Sequence, residues 1–137
     1  MMTVFVDTNI LIDLLCERES FVQSARMLFA YGYSGRLTLV LSSLSLVNAV
    51  YIARKYGYVD VRERLDDITE FVEVVDLRKE VAKRALTCEW KDYEDAVQYM
   101  SAIKENADCI VTRNKKDFWK SVIPVYTIEE LMSLMGD

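Results

Sequence analysis

The apolar positions of this chain alternate between two rhythms. Short β-branched and aromatic runs at Val4–Val6, Leu37–Leu41, Phe71–Val75, Cys109–Thr112 and Val122–Tyr126 predict strands. Between and after them, apolar residues recur at helical spacing. They predict helices at Asn9–Cys16, Ser20–Tyr33, Leu44–Tyr56, Asp60–Glu70, Leu77–Cys88, Tyr93–Asn106 and Ile128–Met135. The last of these opens on Thr127 and carries Glu130 three residues later, the pattern of a capping box. Gly32 to Arg36 and Tyr56 to Asp60 read as turns, and Pro124 marks an edge strand or a strand start. Strands alternating with helices of this length predict an α/β fold. Three layers are expected, with a mainly parallel central sheet of about five strands flanked by helices.

Bulk properties narrow the class. The chain has 137 residues, 52% apolar and 28% charged, enough for one core, and no linker or repeat divides it; residues 1–137 are expected to form a single domain. The most apolar run, Leu37 to Val47, is interrupted by hydroxyl residues and falls short of the ~20 residues a membrane span needs. Cys16, Cys88 and Cys109 are odd in number and form no Cys-x-x-Cys pair. They read as core thiols of a cytoplasmic protein. Histidine is absent altogether, which removes Ser-His and Cys-His catalysis and histidine-held zinc. Only four glycines are present, too few and too scattered for a phosphate-cradling loop. A net charge of −5 disfavours nucleic-acid binding by bulk electrostatics, yet acids gathered to hold a metal would produce the same balance.

The chemistry rests on where the acids fall. Asp7 follows the first predicted strand, and in parallel sheets ligands bind beyond the carboxyl ends of strands. Asp92 and Asp95 stand three apart at the start of a helix and share one side of it. Asp117 follows the fourth predicted strand, in the run Thr112-Arg113-Asn114-Lys115-Lys116-Asp117-Phe118. Each has an ordinary structural explanation: Asp7 or Thr8 as a helix cap, Asp92 as an N-cap with Glu94 and Asp95 favoured by the dipole, and the last run as a solvated turn. Together they gather carboxylates at one sheet edge, where they would repel unless a cation sat among them. Oxygen ligands favour Mg²⁺ or Mn²⁺, and a carboxylate-held metal suits phosphodiester hydrolysis.

With these motifs in place the chain resembles the PIN domain family, a ribonuclease fold that includes the VapC-type toxins of toxin–antitoxin pairs. The resemblance spans essentially the whole chain and is carried by Val6-Asp7-Thr8-Asn9, Asp92-Tyr93-Glu94-Asp95-Ala96 and Thr112 to Phe118. It implies Mg²⁺- or Mn²⁺-dependent cleavage of RNA, with Asp7, Asp92 and/or Asp95, and Asp117 as metal ligands and catalytic acids. It further implies Thr8, Asn9, Thr112 and Asn114 as supporting residues, an antitoxin protein as partner, and a homodimer. The family usually places a glutamate in the helix after the second strand, where this chain has Asn48. An amide there brings no charge, so metal affinity should be weaker unless Asp92 and Asp95 together supply it. In either case Asn48 is expected as a buried amide or a support of the site.

Arg113, Lys115, Lys116 and Lys120 form a local basic cluster that could hold an RNA backbone, or simply solvate a loop. Two other readings compete. One is a PIN-like module that binds RNA or protein with weakened chemistry, motivated by Asn48. The other is a phosphotransfer fold of the receiver or dehalogenase type, against which Asn9 stands where a second aspartate would be wanted.

Overall fold

The computed structural model describes residues 1–137 and contains five strands and seven α-helices in the predicted order. These are β1 (Thr3–Val6), α1 (Thr8–Leu15), α2 (Val22–Tyr33), β2 (Thr38–Ser42), α3 (Ser43–Lys55), α4 (Val61–Thr69) and β3 (Glu73–Val75). They are followed by α5 (Lys79–Ala85), α6 (Tyr93–Lys104), β4 (Cys109–Val111), β5 (Val125–Tyr126) and α7 (Ile128–Leu134). A short 3₁₀ turn, Lys115–Phe118, lies between β4 and β5. No helix is long and apolar enough to cross a membrane.

All neighbouring strands pair in parallel, in the order β3-β2-β1-β4-β5. β1 is therefore central, and Val4, Phe5 and Val6 are fully buried because helices cover both faces of the sheet. Alternate side chains serve the two layers. Val4 and Val6 join Leu39, Leu41, Cys109 and Val111 in the large core under α1, α2, α3, α4 and α7. Phe5 points the other way, with Val40, Val75 and Ile110, toward Ala102 of α6 and Phe118. A continuous apolar run was the right pattern for a strand buried on both sides.

The chain lays down β1, β2 and β3 in one direction and then crosses back to place β4 on the other side of β1. The connections on either side of that reversal diverge. The crevice beyond the carboxyl ends of β1 and β4 is the topological switch point, where ligands bind in open α/β sheets. Asp7 follows β1 and Thr112 follows β4, and the Asp7 amide donates to the Val111 carbonyl at 3.0 Å, which extends the pairing to the lip of the crevice.

Several boundaries differ from expectation: β3 begins at Glu73 and not Phe71, α5 spans Lys79–Ala85 and not Leu77–Cys88, and two further differences have a clear physical cause. The strand predicted at Val122–Tyr126 begins only after Pro124. Ser121 folds onto Ile123 instead, donating to its carbonyl at 2.7 Å and accepting from its amide at 3.2 Å, and proline has no N–H to offer a ladder. β5 is the sheet edge, as Pro124 suggested. Gly32, read as a turn residue, lies inside α2, and the turn falls at Gly35, whose φ of +79° suits glycine. Gly32 is there for closeness: a Cβ would stand 2.6 Å from Leu39 Cδ1 and 2.9 Å from its Cγ. Gly32→Ala should therefore lose about 1–2 kcal/mol in urea unfolding, overpacking against Leu39 outweighing the gain of about 1 kcal/mol in helix propensity. A neutral or more stable variant would show that Leu39 yields freely.

Candidate active site

Asp7 is 5% exposed and is the N-cap residue of α1, yet its side chain makes no capping hydrogen bond. Its carboxylate is turned to β4 instead. Thr112, fully buried, donates from Oγ1 to Asp7 Oδ2 at 2.8 Å, and the same hydroxyl accepts from the Asn114 amide at 3.1 Å. Asn114 thus acts through its backbone, orienting the hydroxyl that holds the acid. Burial pushes the Asp7 pKa up to about 6; the Thr112 hydroxyl and the amides of Thr8 and Asn9 pull it down, and Glu94 pushes it further up.

Thr8 takes a different part from the one its neighbour suggests. Its hydroxyl lies 2.6 Å from Ser45 Oγ, and Gln98 Nε2 donates to both, at 2.8 and 3.2 Å. These three buried side chains tie α1, α3 and α6 together beside Asp7. Gln98 Oε1 is buried without a partner. Asn9 is half-buried in the first turn of α1.

α6 brings further acids to the same edge. Asp92 caps it, accepting from the Asp95 amide at 2.9 Å, so the ordinary capping reading of Asp92 holds. The cap leaves Asp92 exposed at a cleft of about 630 Å³, which it lines with Asp95 and Asp117. Asp117 is carried by the 3₁₀ turn, which is fastened by buried Phe118 edge-on to Trp90; Trp90 in turn stacks on Tyr99. Asp95 is half-buried, and its pKa is pushed up to about 7, first by burial and then by Asp92, Asp7, Asp117 and Glu94. The four charges that raise it are all carboxylates. No three acidic or thiol side chains are drawn close enough to grip an ion in this arrangement.

The basic cluster divides. Arg113 is turned away from the cleft: it donates to Asp13 at 2.8 and 3.2 Å and lies 4.1 Å above the Phe21 ring. Asp13 is 1% exposed and also receives Arg18 at 3.2 Å. Lys115 pairs with Glu130 at 3.0 Å and Lys120 with Glu89 at 2.7 Å. Lys116 lines the cleft, joined by Lys91 and the exposed Trp119. Sequence reasoning missed Lys91, Asp13, Ser45, Gln98 and Glu94. Only Lys91, next to Asp92, and Glu94, inside the motif Asp92 to Ala96, carried a local signal.

The donor set is all oxygen, which fits a hard divalent cation such as Mg²⁺ or Mn²⁺ and no thiophilic metal. A cation would also offset the carboxylates that press on half-buried Asp95.

Comparison with known proteins agrees with this fold. Residues 3–116 match the family described as PIN domain. The chain is similar to ribonuclease VapC1 of Aquifex aeolicus, 33% identical over 139 residues covering 93% of this chain and 91% of that one. Among solved structures it resembles a toxin–antitoxin complex from Klebsiella pneumoniae, with TM-score 0.65 and 25% identity, covering 91% and 97% of the two chains. It also resembles VapBC2 of Rickettsia felis bound to a promoter DNA fragment, with TM-score 0.64 and 20% identity over 91% and 97%. At 20% identity this last likeness concerns the fold.

Two predictions follow from the charges. A carboxyl whose pKa is raised by folding is bound to its proton more tightly in the native state, so it lowers stability as pH rises from about 4 to 6. In metal-free buffer, Asp7→Asn should equal the wild type near pH 4 and exceed it by up to about 3 kcal/mol at pH 8. A constant difference across denaturant melts at those pH values would refute the assignment. Arg113→Ala should cost about 3 kcal/mol by exposing the charge of buried Asp13, whereas Lys116→Ala should stay within about 0.5 kcal/mol. Equal effects of the two in urea unfolding would mean that Arg113 is only a surface cation.

Proposed function

The chain belongs to the PIN domain family, and from that premise we propose that its 137 residues form one catalytic domain, a divalent-metal-dependent endoribonuclease. The observation that carries the reading is the surrounding of Asp95 by Asp92, Asp7, Asp117 and Glu94, acids drawn from three separated segments to one switch-point crevice. Asp7, Asp92, Asp95 and Asp117 would hold Mg²⁺ or Mn²⁺. The chemistry such an ion supplies when bound is activation of water and neutralisation of charge on a phosphoryl group.

The protein's own groups divide the remaining work. Thr112 fixes the Asp7 carboxylate, and the Asn114 amide fixes Thr112. Lys91 and Lys116, at the rim of the cleft, are suited to meet phosphate oxygens, and exposed Trp119 offers a face on which a base can stack. Arg113, Lys115 and Lys120 are engaged with acids and contribute at most at longer range.

The 33% identity to ribonuclease VapC1 and the likeness to a toxin–antitoxin complex support a further reading. The chain acts as a toxin restrained by an antitoxin protein. Homodimerisation belongs to the same proposal, as does a cytoplasmic setting, which the three free cysteines favour.

Asp7→Asn should abolish RNA cleavage in Mn²⁺ or Mg²⁺ and relieve growth inhibition on expression, while the metal-free protein stays folded by circular dichroism. Undiminished cleavage by that variant would move the active centre elsewhere. RNA binding that persists in EDTA, with no cleavage under either metal, would favour the binding-module reading. Lys91→Ala with Lys116→Ala should weaken RNA binding and flatten its salt dependence by about two phosphate contacts. An unchanged salt slope would place the RNA on another face.

A further inference from the structure

Asn48 is half-buried on α3 and donates from Nδ2 to Glu94 Oε1 at 2.6 Å. The bond runs from the middle of α3 to the first turn of α6. Glu94 is itself half-buried, and no lysine or arginine pairs with it. Its charge reaches both Asp7 and Asp95, whose carboxyls it raises. It stands between Asp92 and Asp95 in the first turn of α6, beside the cleft that Asp92, Asp95 and Asp117 line.

A glutamate has three side-chain torsions and strong reason to use them here. Next to two other acids, an untethered carboxylate would swing toward water. The Asn48 amide opposes that by binding one oxygen in a half-shielded place, where a charge-assisted hydrogen bond is strong. The second oxygen stays available. The amide contributes no charge, so its effect is orientation. We infer that Glu94 is a further acid of the metal site and that Asn48 is the positioning residue holding it there. The ligand class is the hard divalent cation of the site proposed above, and the inference rests on that reading.

The alternative is a plain strut between α3 and α6, and the two differ in what charge does. Glu94→Gln keeps an amide-compatible contact and removes the charge. The double variant Asn48→Glu with Glu94→Gln reverses the pair, restoring the charge from the α3 side with the hydrogen bond intact. Mn²⁺ affinity, read from the electron paramagnetic resonance of free Mn²⁺, is measured beside melts in EDTA. Glu94→Gln should weaken Mn²⁺ binding by about 10–100-fold without lowering the EDTA melt, and the reversed pair should return affinity close to the wild-type value.

If Glu94→Gln binds Mn²⁺ as the wild type does while Asp7→Asn does not, Glu94 is a strut and the inference fails with the metal site intact. If Asp7→Asn also binds unchanged, the metal-site reading itself falls. Asn48→Ala keeps the Glu94 charge but frees its carboxylate and should also weaken Mn²⁺ binding; unchanged affinity in that variant would overturn the positioning role of Asn48.

Discussion

Uncompensated negative charge at the carboxyl end of the central strand is the constraint around which this molecule is arranged. Two aspartates, Asp7 and Asp13, sit six positions apart and are almost equally buried, at 5% and 1% exposure. The chain treats them in opposite ways. Asp13 receives Arg113 and Arg18 and is neutralised within the fold. Asp7 receives a threonine hydroxyl, and the charge that acts on it most is another acid, Glu94. Leaving a buried carboxylate without a cation is costly, and an arginine lay within reach of the sequence at 113. The geometry sends that arginine to the other aspartate. No arginine or lysine of the chain pairs with Asp7.

The surrounding structure holds Asp7 in that exposed electrostatic position. β1 cannot shift, because its side chains are interlocked on both faces and its ladder runs to β2 on one side and β4 on the other. The Thr8, Ser45 and Gln98 cluster fixes the entry of α1 against α3 and α6. Trp90, Tyr99 and Phe118 brace the turn that carries Asp117. Each acid thus stands on an element that packing, not its own interactions, has placed. That is how like charges are kept at one edge against their repulsion.

Much of this was legible in the chain, and the exceptions share a cause. Strand and helix periods located all the elements, because burial on both faces of β1 and on one face of each helix imprints itself locally. Acids at strand ends pointed to the sheet edge for the same reason. Pairing between distant segments was not legible. Arg113 and Asp13 are 100 residues apart, Asn48 and Glu94 are 46 apart, and nothing near either partner announces the other. Gly32 looked like a turn because closeness to Leu39 across the core leaves the same mark in sequence as a bend. Local order was readable, whereas the choice among equally plausible long-range partners was made by the packing of α3, α6 and the loop after β4.

The first turn of α6 raises the question of whether the fold could offset the acids by itself. A helix N-terminus contributes roughly half a positive charge, and Asp92 already occupies one of its free amides as a cap. Against Asp7, Glu94, Asp92 and Asp117 that is too little: burial first, and then these acids, push the Asp95 pKa up to about 7. Lys91 and Lys116 do not close the gap either. They are exposed at the rim, where water and salt screen them within about 10 Å, so they act weakly on a half-buried carboxylate. A phosphate chain lying over the cleft would meet them directly. Two lysines and three aspartates thus line one cleft, and under the proposed reading the lysines would meet the polyanion while the aspartates face the cation.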